Sequence, residues 1–147
     1  MSEPNAEILA LFERAVADLL SAFDVERPPV PVELILQRPR PTMWREVNLS
    51  ELSLSFISTE HPFSPRMSIA RLLARRMCRC DWGAERGLAA FAEDEEALRA
   101  LARAIVMPRR MLEEMPNAQR TLLNISLRFE TPEKDAALRL SELGLTS

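Results

Sequence analysis

Arg71, Arg75 and Arg79 recur every four residues, so a helix through them carries a row of guanidinium groups along one face, with Arg76 beside it. Such a row can hold an anionic partner or a nucleic-acid backbone, and it can equally stand as a solvated helix face. Cys78 and Cys80 lie in the same arginine-rich stretch, which could lower a thiol pKa and make a nucleophile. Against that, two helical positions apart they point in divergent directions, no second cysteine pair completes a thiolate metal site, and Cys80 falls on the apolar stripe. Reduced, structural thiols are the reading. His61 is the single imidazole, with neither thiol close by in sequence, and it reads as a capping or surface residue. Asp94, Glu95 and Glu96 supply carboxylates at a helix start, where they complement the dipole.

The elements that must position these groups follow from composition and periodicity. A chain of 147 residues is about one ordinary domain. Gly is scarce and Ala, Leu, Arg and Glu abundant, so the architecture should be mainly helical. A net charge of -3 argues against a general pull on phosphate backbones and leaves only a local basic patch for that purpose. The start lacks a basic leader and nowhere do eighteen uninterrupted apolar residues occur, so the expectation is a cytoplasmic chain with no membrane span.

Ile8, Leu9, Leu11, Phe12, Ala15, Val16, Leu19, Leu20 and Phe23 predict an amphipathic first helix ending before Arg27-Pro28-Pro29. Val32 to Leu36 could be a short helix behind Pro31 or a strand. Leu52, Leu54 and Phe56 alternate with serines, which predicts a strand. A helix from about Arg66 to Cys80 follows, opening near Ser64 or Pro65, with Ile69, Leu72, Leu73, Met77 and Cys80 as its apolar positions. Leu98, Leu101, Ala102, Ile105 and Val106 define another long helix that Pro108 closes. Asn117 can cap a helix through Phe129, and Thr131-Pro132 reads as cap and first position of a last one that stops at Gly144.

Three blocks in this order resemble the ImmA/IrrE family, zinc-peptidase-like bacterial and phage proteins that regulate helix-turn-helix repressors. Where that family has a segment such as Arg-Phe-Thr-Leu-Ala before His-Glu-Leu-Gly-His, Arg66-Met67-Ser68-Ile69-Ala70 precedes Arg71-Leu72-Leu73-Ala74-Arg75. Where it has Glu-x-x-Ala-Asn-x-Phe-Ala and then Leu-Leu-Met-Pro, this chain has Glu95 to Ala102 and then Ile105-Val106-Met107-Pro108. The third block runs from Phe129-Glu130-Thr131-Pro132 to Arg139-Leu140-Ser141-Glu142-Leu143-Gly144-Leu145. By this resemblance Arg71 and Arg75 stand at the two histidine-ligand positions, Leu72 at that of the catalytic glutamate, and Glu95, or Glu96 after a one-residue shift, at that of the third ligand.

A guanidinium has no lone pair to donate and stays protonated at physiological pH, so Arg71 and Arg75 would repel a divalent cation, and Leu72 cannot take a proton from water. The expectation is therefore a degenerate member with no catalytic residue, no metal and no cofactor, in which Glu95 either complements the start of its own helix or pairs with an arginine of the vestigial site. The expected fold is α+β: a mainly helical, zincin-like single domain over 1-147. It would have a small sheet around Leu52 to Ile57 against the Arg66–Cys80 helix, with the Glu95–Val106 helix alongside. Within it, 1-60 would hold the first helix and the proline-rich and strand segment, 61-110 the degenerate peptidase-like core, and 111-147 C-terminal helices of helix-turn-helix outline. Glu130, Glu133, Asp135 and Glu142 make those last helices a poor phosphate-facing surface, so internal packing is preferred for them. The function expected is a regulatory protein-binding module whose partner, by analogy, is a helix-turn-helix repressor. The alternatives are a DNA-associated regulator using the Arg71, Arg75, Arg76 and Arg79 face, and an enzyme of a kind these residues do not reveal.

Overall fold

The computed structural model describes residues 4–51 and 61–145. Helix α1 (Ala6–Ala22) starts at Asn5, whose side chain accepts the Ile8 N–H at 3.0 Å, and buries Phe12, Ala15, Val16, Leu19 and Leu20. The apolar island behind Pro31 resolves as a short helix, α2 (Val32–Gln37), not a strand. Trp44 then folds back and donates its indole N–H to the Leu36 carbonyl at 2.8 Å, satisfying an end of α2 that the helix leaves open.

Helix α3 (Ser64–Cys78) carries Pro65 in its first turn, where a missing N–H costs nothing. It stops two residues short of the expected end. Cys80 is extended and begins the one-turn helix α4 (Asp81–Ala84), and Cys78, not Cys80, is the thiol buried in the core. Leu72 is only partly buried, while Met67, Ile69, Ala70, Leu73, Ala74 and Met77 face inward. The return of α4 against the end of α3 is tight: a Cβ on Gly83 would stand 1.6 Å from the Met77 carbonyl oxygen, so only glycine fits.

Helix α5 (Glu95–Val106) is capped by Asp94, whose carboxylate accepts the Ala97 N–H at 3.2 Å. It buries Ala97, Leu98 and every residue from Ala100 to Val106, which makes it the central element. After the short α6 (Arg109–Glu113) the chain turns through Asn117–Gln119. Helix α7 (Leu122–Phe129) then begins behind Thr121, which caps it by accepting the Asn124 N–H at 3.2 Å; Asn117 is not its cap. Helix α8 (Glu133–Leu143) has Pro132, not Thr131, at its N-cap, and Gly144 ends it at φ 69°. Thr131 is instead buried against Met107.

No described residue lies in a strand, so the expected α+β class is corrected to an all-helical fold. The strand expected over Leu52 to Ile57 falls outside the described residues. The physical reason is coverage. Helix α3 packs on α5, as expected, and on α2 where a sheet was expected, while α1 and α8 pack on α5 and α7 on α8.

Buried arginines tie this arrangement together. Arg139 on α8 is fully buried and forms a two-pronged contact with Glu13 of α1 at 2.6 and 2.8 Å, while its Nε donates to the Met107 carbonyl at 2.9 Å. Arg103 on α5 holds Glu142 of α8 in the same fashion, at 3.0 and 2.8 Å. Arg66 at the start of α3 donates to the carbonyls of Val30 at 2.6 Å and Phe129 at 3.3 Å, registering α3 against the approach to α2 and the end of α7. No helix among the described residues is long and apolar enough to cross a membrane.

Candidate functional site

The arginine row on α3 splits between two environments. Arg75 reaches the first residue of α5 and forms an ion pair with Glu95 at 3.1 Å, and Arg79 pairs with Glu93 at 2.9 Å. The Arg75–Glu95 pair is one of the two arrangements expected for Glu95, but the motive differs. The two side chains are 40% and 53% exposed, so Glu95 is not a stranded buried carboxylate, and a surface pair of this kind contributes about 0–1 kcal/mol. Glu96 points elsewhere and pairs with Arg99 of its own helix at 3.5 Å. Arg76 makes no ion pair among the described residues and is half-buried.

Arg71 makes no ion pair with Glu95 and lines a cavity of about 450 Å³ between α3, α5 and α8, lined also by Ser64, Met67, Arg99, Arg103, Lys134, Asp135 and Leu138. One Nη donates to Ser68 Oγ at 3.1 Å, and no carboxylate among the described residues pairs with it. Burial is the largest influence on its pKa and lowers it, Asp135 opposes that, and Arg99 and Arg103 add to it. The guanidinium remains charged at physiological pH.

Asp135 faces the same space from the first turn of α8. It is buried, and burial is the main cause that pushes its carboxyl above the usual carboxylate range, against the pull of Arg103, Lys134 and Arg71. Asp135 and Glu142 thus both face α5, in keeping with the internal packing expected for the last helices. Two signals in the sequence point here: Arg103 interrupts the buried stripe of α5, and Asp135 sits one residue before the buried Ala136 of α8. Charged residues on an otherwise apolar stripe require partners.

The other candidates are accounted for locally. Cys78 is packed in the core, where burial pushes its thiol up to about 12; burial raises Cys80 as well, although backbone hydrogen bonds oppose it. Neither is a poised nucleophile. His61 accepts the Phe63 N–H at 3.1 Å on Nδ1 and lies against the Phe63 ring, which makes it a turn-capping residue ahead of α3. No group of three or more His, Cys, Asp or Glu side chains among the described residues is arranged to hold a metal ion. Leu72, at the position the resemblance gives to a general base, packs part-buried against the core.

Beyond this site, large apolar side chains are exposed chiefly on the last two helices. Leu122, Leu123 and Leu127 of α7 and Leu138 of α8 face outward, while Ile125 and Phe129 of α7 face the core. Comparison of the chain with protein-family models, with curated proteins and with solved structures finds no match.

Proposed function

We propose that the chain is a non-catalytic, cytoplasmic regulator of the ImmA/IrrE type that acts by binding another protein. One observation carries the reading. Of the positions that the resemblance assigns to a metal centre, Arg75 is paired with Glu95, Arg71 is turned into a cationic cavity, and Leu72 is aliphatic. With two guanidinium groups that offer no lone pair and an aliphatic side chain, these positions leave Glu95 as a lone donor and no base to activate water. The leucines displayed by α7 and α8 supply an apolar face of the kind that a helical partner buries, and analogy names a helix-turn-helix repressor as that partner.

The alternative DNA reading is weakened by the pairing of Arg75 with Glu95 and Arg79 with Glu93, which offsets much of the row's positive potential. The test is a set of three measurements on the full chain. Metal analysis and a peptide-cleavage assay with and without chelator should both be blank; stoichiometric zinc or chelator-sensitive cleavage refutes the pseudoenzyme. Affinity capture should recover a protein that is lost with Leu123→Glu or Leu127→Glu and kept with Arg79→Ala. Duplex-DNA binding that weakens steeply with salt and with Arg75→Glu would replace the protein-binding reading with the regulator one.

A further inference from the structure

We infer that the cavity between α3, α5 and α8 is a binding site for a small acidic amino acid, its carboxylates on Arg71 and Lys134 and its ammonium on Asp135. The argument is a balance of unsatisfied charge. Of the five ionic side chains lining the cavity, Arg103 has two of its nitrogens engaged by Glu142, and Arg99 is partnered by Glu96. Arg71, Lys134 and Asp135 have no ion-pair partner among the described residues. Two cations and one carboxylate are therefore left facing one space.

A plain anion meets Asp135 and is repelled; a plain cation meets Arg71, Arg99, Arg103 and Lys134. A molecule with two carboxylates and one ammonium carries the complementary set. Asp135 is buried, yet its oxygens are absent from the fully enclosed unpaired atoms, so they keep access to the cavity instead of being sealed in the core. A mostly buried carboxylate that opens on the cavity without a protein hydrogen bond is placed to accept one from a bound ammonium in exchange for water. Met67 and Leu138 flank the polar groups and suit the short methylene chain of such a ligand. The volume, about 450 Å³, lies within the range of small-molecule sites.

The test is a titration of the full-length protein at low ionic strength, followed by amide NMR shifts, with L-glutamate and L-aspartate against glutarate and succinate, which lack the amine, and against inorganic phosphate. Expected are saturable shifts at α3 and the start of α8 with an amino acid, and affinity at least about ten-fold lower for the dicarboxylate of the same length, one charge-assisted hydrogen bond being lost. Arg71→Gln should weaken amino-acid binding by at least about ten-fold. Asp135→Asn, which removes a buried charge and should fold, should erase the preference for the amino acid over the dicarboxylate. Three results overturn the inference: no saturable shift with any probe, glutarate or phosphate binding as well as glutamate to the unmodified protein, or glutamate binding that is indifferent to both substitutions.

Discussion

Replacing either partner of the Arg139–Glu13 contact should expose how the last helix is held to the first. Arg139 is 1% exposed and Glu13 17%, so the two substitutions are not equivalent. Glu13→Leu leaves a guanidinium in the core with only the Met107 carbonyl for company, and should cost about 3–5 kcal/mol, the usual penalty for an uncompensated buried charge. Arg139→Met leaves a carboxylate that can still reach water, together with an orphaned Met107 carbonyl, and should cost less, about 2–4 kcal/mol. The double variant buries neither charge and should lie within about 2 kcal/mol of the parent, giving a coupling energy of at least about 3 kcal/mol. Urea unfolding followed by fluorescence of the two buried tryptophans, Trp44 and Trp82, measures all four proteins. Costs that simply add, to within about 0.5 kcal/mol, would refute the claim that these side chains act as one desolvated unit.

Three further outcomes follow from the same structure. Gly83→Ala should destabilise by about 1–3 kcal/mol or more, because its Cβ meets a backbone carbonyl that no rotamer change can move; an unchanged urea midpoint would show that α4 shifts freely. Cys78 should resist a thiol reagent at pH 8 in the folded protein and react fully in denaturant, with Cys80 the faster of the two, and equal native rates would contradict the burial that raises Cys78 to about 12. Asp135 binds its proton more tightly in the folded than in the unfolded chain, so its contribution is fully present below the unfolded-state pKa and lost as pH rises through the folded one. Asp135→Asn should accordingly raise the melting temperature at neutral pH by a margin that shrinks in acid, and a margin that grows on acidification would reverse the sign of the argument.

Local signals located the helices well where capping chemistry and apolar periodicity agreed. Ser64-Pro65, Asp94 and Gly144 mark real boundaries because each acts locally, Pro65 and Gly144 through their backbone geometry and Asp94 through its capping carboxylate. Boundaries slipped where tertiary contacts chose between local options: Asn117 offers a cap, but Thr121 takes the role, and Thr131 is drawn into the core against Met107. The packing of α5 beside α3 follows from their apolar stripes, whereas the sheet expectation came from alternation alone, which cannot reveal that α2 packs on α3. At the candidate site, periodicity identified the arginine row but not its division, since Arg71 and Arg75 differ in environment only through what α5 and α8 bring opposite them. Arg139, Arg103 and Asp135 stood in plain view as charges on apolar stripes. Their meaning depended on partners as far away as Glu13, which no window of sequence contains.

Leu138 belongs to two surfaces at once: it borders the cavity that holds Arg71 and Asp135, and it is one of the outward leucines of the last helix pair. A molecule settled beside Asp135 and a macromolecule resting on those leucines would therefore compete for, or jointly cover, the same isobutyl group. Where both contacts involve Leu138, thermodynamic reciprocity makes the factor by which either alters the other's affinity the same in both directions.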